Sequence, residues 1–198
     1  LSVNITAYQI VNINLAQTAQ FEKDGVTPNN NTSLKELVGK TVSKGIELDI
    51  NGRPVKGLDV IAGYSYNDMR YSKTPDTKGS YVEGERLVGT PAHTANGSIF
   101  YSFDGTLKGF RVGAGVYYSG DRNAGWNNTK QQSQTYSRLI PVQGFTTIDI
   151  SAGYTYRKVS LLVKLSNLTN TYNYYVHENY SINPIPPRQV MATLSYKF

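Results

Sequence analysis

Apolar and polar residues alternate along several short stretches of this chain, and long polar stretches separate them. In residues 188–198 every second position is apolar, and the positions between them are mostly polar. Successive side chains of a strand point to opposite faces, so this pattern predicts a strand with one apolar face. Its apolar positions are Val190, Ala192, Leu194, Tyr196 and Phe198.

A terminal strand with an apolar face and an aromatic last residue is typical of the closing strand of a bacterial outer-membrane barrel. Seven earlier stretches alternate in the same way and predict seven more strands of about ten residues. Alternation begins at Leu1 and is lost over residues 8–14. The predicted strands cover residues 1–6, 44–51, 58–66, 94–103, 110–118, 147–156 and 159–165.

The connections between these strands alternate between long and short. Short turns are predicted at residues 51–54, 104–105 and 157–158, and long loops at residues 16–41, 70–85, 120–143 and 167–187. This alternation of long and short connections predicts an all-β, antiparallel transmembrane β-barrel with short periplasmic turns and long extracellular loops. Aromatic residues near the strand ends are expected to form its two girdles. These are Tyr64, Tyr66, Tyr101, Phe103, Tyr118, Tyr154, Tyr156, Tyr196 and Phe198.

Composition excludes several other classes of function. The chain has no Cys and only two His, so a metal centre is not expected. We expect His93 to make an interior hydrogen bond at a strand end instead. The net charge is +6, but Lys and Arg are scattered, which argues against nucleic-acid binding. No nucleophile elbow, phosphate loop or paired-carboxylate motif is present, so the chain is not predicted to be an enzyme.

Four segments and the final strand resemble the C-terminal part of TonB-dependent outer-membrane siderophore receptors, the group that includes the ferrichrome and ferrioxamine receptors. The segments are SKGIELDINGRPVKGLDVIAGYSYND, LVGTPAHTANGSIFYSF, FRVGAGVYYSGDR and FTTIDISAGYTYRKVSLLVKLSNLTNTYNYY, which leads into PRQVMATLSYKF. Within them, Gly45 and Glu47 are expected on the inner face of a strand.

This resemblance implies an outer-membrane receptor for TonB-dependent uptake of ferric siderophores. Residues 1–198 would be the C-terminal portion of a barrel of about 22 strands, and the eight strands would be its last eight. A plug domain and a TonB-contacting segment would lie elsewhere in the protein, and we expect this chain to be a piece of it. Iron would arrive only as the siderophore chelate, without a cofactor. The lipid bilayer and, through the last strand, the barrel-assembly machinery would be further partners.

Aromatic and polar residues in the long loops are the candidates for ligand binding, because rigid aromatic side chains supply contact area at low entropic cost. They are Tyr81, Arg122, Trp126, Tyr136, Tyr174, Tyr175 and His177. Two alternatives stay open at this point: a small closed eight-stranded outer-membrane protein with a structural or adhesive role, and a soluble β-rich carbohydrate-binding module.

Overall fold

The fold is an antiparallel sheet of eight strands, in which nearly every strand pairs with the next along the chain. A computed structural model describes residues 1–19, 21–31, 33–75, 81–125, 139–177 and 181–198. The strands are β1 (Ser2–Thr18), β2 (Lys35–Val55), β3 (Leu58–Lys73), β4 (His93–Ser102), β5 (Phe110–Ser119), β6 (Arg122–Gly125), β7 (Leu139–Val142), β8 (Phe145–Tyr156), β9 (Val159–Ser166), β10 (Tyr174–Val176), β11 (Ile182–Pro184) and β12 (Gln189–Tyr196). Gly105–Leu107 form a short 3-10 helix. The order of strands in the sheet is β1-β2-β3-β4-β5-β8-β9-β12.

The predicted alternation of long and short connections is confirmed. Three short turns lie at one end of the strands, which we call the turn end, and four long connections lie at the opposite end, the loop end. The connection before β2 is the first of the four. The other three are loop A (residues 74–92), loop B (residues 120–144, which contains β6 and β7) and loop C (residues 167–188, which contains β10 and β11).

The pairing register aligns the apolar positions of all eight strands on one face. Ala152 lies opposite Val112 on one side and Val163 on the other. Val163 in turn lies opposite Ala192 of the last strand. Directly opposed residues in an antiparallel pair share a face, so these positions form one continuous surface, the apolar face. The reverse side is the polar face. Asp149, for example, lies on it opposite Gly115, and its carboxylate accepts a hydrogen bond from the Asn167 amide at the start of loop C.

Large apolar side chains on the apolar face are exposed, which is unusual for a protein surface in contact with water. Such a surface is stable when lipid covers it. At the turn end, pairs of the predicted girdle aromatics pack together, with ring centroids 4.9 Å apart for Tyr101 and Phe103 and 5.3 Å apart for Tyr196 and Phe198. Exposed apolar-face residues include Val3, Ile5, Ile46, Ile99, Val116, Ile150, Leu161 and Leu194.

The sheet is open, because no pairing joins β1 to β12 within the described residues. This arrangement does not favour the small closed eight-stranded barrel that the sequence left as an alternative. No helix in the described part of the chain is long and apolar enough to cross a membrane.

The bounds of the first turn and of the first strand differ from the prediction. The first turn lies at Lys56–Gly57 and not at residues 51–54, because Gly57 adopts a positive φ of 83°, whereas Asn51 and Gly52 still pair with β3 and the register shifts over Arg53 and Pro54 within β2. Strand β1 continues past residue 8, where the alternation is lost, as far as Thr18. A bulge at Asn14, with a φ of 59°, shifts the face on which later side chains lie.

The first long connection is shorter than predicted, since β2 already begins at Lys35 and not after residue 41. Gly45 does lie on the polar face as expected, and the Tyr8 side chain covers it. His93 makes a hydrogen bond at a strand end, with 2.7 Å between its Nδ1 and the Tyr64 hydroxyl. That bond lies on the apolar face, because His93 pairs with Tyr66, so the predicted interior placement was wrong.

Candidate functional site

Three of the long loops meet above the polar face at the loop end. The Gly89 amide of loop A donates a hydrogen bond of 2.8 Å to the carbonyl of Asn123 in loop B. The Asn173 side chain of loop C donates one of 3.1 Å to the carbonyl of Gln143 in loop B. These contacts join segments that are far apart in the chain, and they create a site to which all three loops contribute.

Arg122 of β6 holds loops B and C together from a buried position. Only 6% of its surface is exposed. Its Nη2 donates to the Asn173 Oδ1 at 2.8 Å and to the Tyr174 carbonyl, and its Nη1 donates to the carbonyls of Gly120 at 3.4 Å and Gln143 at 3.3 Å. One side chain therefore fixes the start and end of loop B against the outer hairpin of loop C.

Burial lowers the pKa of the Arg122 guanidinium below its ordinary value. An arginine side chain starts so far above neutrality that it stays charged nonetheless. Within the described residues no carboxylate forms an ion pair with Arg122, and the neighbouring Asp121 accepts a hydrogen bond of 2.7 Å from the Gly144 amide. The positive charge is therefore stabilised by carbonyl oxygens, by an aromatic ring and by electrostatic attraction from the neighbouring Asp121.

That ring belongs to Phe145, which lies under Arg122 and anchors an aromatic cluster. The guanidinium carbon is 5.3 Å from the centroid of the Phe145 ring, a cation–π distance. Tyr117 of β5 and Tyr175 of β10 flank the same ring, with centroids 5.9 Å and 6.4 Å away. Phe145 is buried, whereas the two tyrosines are about half exposed and present ring surface to solvent.

A cleft of 530 Å³ opens beside this cluster, and we call it the loop-end cleft. This volume is in the range of small-molecule sites. A second cleft of 280 Å³ continues along the polar face and shares Tyr117, Phe145 and Tyr175 with the first. The loop-end cleft is lined by Val88, Gly89, Thr90, Pro91, Tyr117, Ser119, Arg122, Phe145, Tyr175, Val176 and His177.

Another groove of 470 Å³ lies on the polar face but closer to the turn end. Strand residues such as Phe100, Arg111 and Thr193 line it, and no described residue of the long loops contributes to it. The Arg111 guanidinium covers the Phe100 ring at 4.6 Å. The loop-end cleft is the stronger candidate for ligand capture, because it is the one that the loops build.

Loop A is held against β3 by a small ionic network. The Asp68 carboxylate accepts hydrogen bonds from Arg70 at 2.9 Å and from Arg86 at 2.7 Å. The same arginines donate to the carbonyls of Gly84 and Asn67, respectively. This part of β3 extends past the start of β4 and so lies outside the membrane-spanning strands. The hydrogen bond from Arg70, with its charge and that of Arg86, lowers the pKa of Asp68.

The predicted ligand residues are divided among several places. Tyr175 and His177 line the loop-end cleft. Arg122 also borders it, although its hydrogen bonds go to the loops. Tyr81 is absent from the lining of the cleft and stacks on buried Tyr71, with ring centroids 4.3 Å apart. Tyr174 supplies its carbonyl to Arg122 and keeps a half-exposed side chain. Trp126 and Tyr136 lie outside the described residues.

The sequence reasoning missed Tyr117 and Phe145. A signal was available for both, since each is a bulky aromatic at a position of its strand where the alternation predicts the polar face. It also missed the contribution of residues 88–91, which carry no pattern by themselves and become part of the cleft only because loop A folds over loop B.

Known proteins resemble this chain in both sequence and structure. Residues 1–168 match the family described as TonB dependent receptor-like, beta-barrel. An uncharacterized TonB-dependent receptor of Haemophilus influenzae is 29% identical over 86% of this chain and 46% of its own length. The ferrioxamine B receptor of Salmonella typhimurium is 25% identical over 67% of this chain and 18% of its own.

The fold recurs in a crystal structure of the ferric preacinetobactin receptor from Acinetobacter baumannii. The TM-score is 0.79 at 18% identity, and the match covers 99% of this chain and 27% of the receptor. The chain thus spans less than half the length of each of these proteins.

Proposed function

Because the chain belongs to the TonB-dependent receptor-like β-barrel family, we propose that the whole protein takes up a ferric siderophore across the outer membrane with energy supplied through TonB. The observation that carries this proposal is the loop-end cleft, which combines aromatic side chains with a buried cation above the polar face of the sheet. Bulky, polar chelates suit such a surface, because aromatic rings provide rigid contact area. The names of the ferrioxamine B and ferric preacinetobactin receptors support the same class of ligand.

The chain takes part in this function as a portion of the barrel wall. We assign residues 1–198 to the C-terminal part of the barrel, with the apolar face toward lipid and the polar face toward the interior. Contact with TonB is assigned to a segment outside these residues. The exposed apolar positions of β12, with Phe198 after them, are the features that barrel-assembly machinery would recognise.

Within the site, Tyr175 and His177 are assigned to contact with the chelate, together with Tyr117. Arg122 acts by holding loops B and C in place. Tyr81, Tyr174, Trp126 and Tyr136 stay predictions for ligand contact. Iron is cargo that arrives inside its chelate. The relatives with assigned names are receptors and not enzymes, and we assign no reaction to this protein.

Uptake of radioactive iron tests the proposal directly. Cells that lack the gene, grown under iron limitation, should regain uptake of at least one ferric siderophore when the full-length protein is restored, and only while TonB is present. Tyr175→Ala should weaken uptake about tenfold, as expected for a central aromatic contact. Tyr172→Ala is the matched control, because this exposed tyrosine of loop C does not line the cleft. Failure of every siderophore tested to enter would refute the proposed function.

A further inference from the structure

The loop-end cleft has a pronounced charge asymmetry. Arg122 places a buried positive charge at its wall, and no acidic residue is among the described residues that line it. In the adjoining smaller cleft the carboxylate of Asp149 is already paired with Lys164, whose Nζ lies 2.7 Å away. The described lining of the cleft therefore contributes a positive charge and no negative one; the neighbouring Asp121, which attracts Arg122, is exposed and lies outside the lining.

The remaining walls of the cleft favour flat aromatic groups. Tyr117, Phe145 and Tyr175 present ring faces or edges, and Ser119 adds a hydroxyl. The volume of 530 Å³ suits one or two aromatic rings of a ligand better than an entire chelate. His177 lies at the cleft with an exposed side chain.

We infer that the loop-end cleft selects negatively charged ferric chelates with aromatic iron-binding groups, such as tris-catecholates, over positively charged trihydroxamate chelates. This inference rests on the proposed function and narrows its substrate class. An anionic catecholate ring entering the cleft gains attraction from Arg122 and stacking from the tyrosines. A cationic aliphatic chelate meets repulsion and gains no stacking. Unit charges roughly 8–10 Å apart, at an effective dielectric constant of about 20–40, change a binding constant by about tenfold.

The test changes the charge at His177 and leaves Arg122 in place, because replacing Arg122 would also release the loops. Purified full-length protein in detergent is titrated with two radioactive-iron probes: a trianionic ferric tris-catecholate and the cationic ferrioxamine B chelate. His177→Glu introduces a negative charge into the cleft, and His177→Gln measures the effect of losing the imidazole alone. Tyr172→Glu is the position control, since it places the same charge at an exposed residue of loop C outside the cleft.

The wild-type protein should bind the tris-catecholate at least about tenfold more tightly than ferrioxamine B. His177→Glu should weaken tris-catecholate binding about tenfold relative to His177→Gln and should not weaken ferrioxamine B binding. Tyr172→Glu should change either affinity by no more than about twofold, because Tyr172 lies outside the cleft, where water and salt screen its charge from the bound chelate.

The possible failures are distinguishable. If the wild-type protein binds neither probe nor any other ferric chelate, the proposed function is refuted and the inference with it. If it binds both probes without the expected preference, or if His177→Glu and His177→Gln behave alike, the charge selection is refuted while the receptor function stands. Equal losses in His177→Glu and Tyr172→Glu would show that the selection comes from the general field of the loops and not from the cleft.

Discussion

Replacement of Arg122 by methionine is the sharpest test of how the site is built. Methionine keeps an unbranched apolar stem of similar volume but removes all donors. The four oxygens that now accept from the guanidinium, on Gly120, Gln143, Asn173 and Tyr174, would lose their partner. We expect loops B and C to separate locally while the eight-stranded sheet stays folded, because its strands are held by their own ladders.

The size of the effect follows from the geometry. The two bonds from Nη2 are charge-assisted, and such bonds contribute about 1.5–3 kcal/mol each. The two bonds from Nη1, at 3.3–3.4 Å, are near the distance limit and contribute little. Water from the adjacent cleft can solvate part of what is left, so the local loss should be about 3 kcal/mol. This corresponds to an increase in loop opening of about one-hundredfold.

Hydrogen–deuterium exchange of the full-length protein measures this opening. The Gly89 amide, bonded to Asn123, reports on the contact between loops A and B, and the Ile185 amide, bonded to Asn173, reports on the part of loop C that Arg122 holds. Both should exchange about one-hundredfold faster in Arg122→Met. Arg122→Lys keeps the charge but not the planar fork, and it should show a smaller acceleration of about tenfold.

Unchanged exchange in Arg122→Met would refute the clamp and would show that other contacts hold the loops. Equal acceleration in β8 and β9 would also contradict it, because the damage would then be global. A result in which Arg122→Lys equals the wild type would mean that charge, and not the fork of hydrogen bonds, holds the loops.

Three further predictions concern the network and the sheet. Asp68→Asn should loosen loop A, seen as faster proteolysis within it. In the wild type, the stabilisation of loop A by the charged Asp68 carboxylate should be fully present above the ordinary carboxyl pKa of about 3.9. It should be lost as the pH falls through the lowered pKa of Asp68 in the folded protein, because a depressed pKa means that the folded state favours the charged form. Cleavage of loop A that is independent of pH between 7 and 2 would contradict this. Gly45→Ala should destabilise the protein in vesicles by about 1–3 kcal/mol in denaturant titrations, since its Cβ would lie 2.5 Å from a backbone carbonyl, whereas Gly97→Ala, with a nearest atom at 3.6 Å, should be tolerated; equal stabilities would disprove the steric argument. Ala192→Arg should cost about 2–4 kcal/mol in the same titrations and Thr193→Arg much less, because these neighbours lie on the apolar and polar faces respectively; a reversed order would mean that the faces are assigned the wrong way round.

Much of the fold was predictable because successive side chains of a strand face two different environments, so that apolar and polar residues alternate along the sequence. The predicted apolar positions, from Val60 to Tyr196, all lie on the face that the register defines. Local signals failed where two of them competed, as at Asn51-Gly52 and Lys56-Gly57. Both can turn a chain, and the choice depends on which one lets β2 and β3 pair over their full lengths. The second half of β1 was hidden because apolar side chains occur on both faces over residues 8–13, among them Ile10 and Val11, and because the bulge at Asn14 then shifts the register.

The sequence by itself determined the class of protein, the two faces of the sheet and the end at which long loops gather. These properties follow from alternation and loop length, which are local. Only the tertiary structure decided what the loops build. Arg122 and Asn173 are 51 residues apart, and their contact depends on how two hairpins fold over the sheet. No periodicity encodes such a contact, since the partners are chosen by geometry in space. The assignment of Arg122 to loop positioning, and of Tyr117 and Phe145 to the cleft, therefore came from the structure.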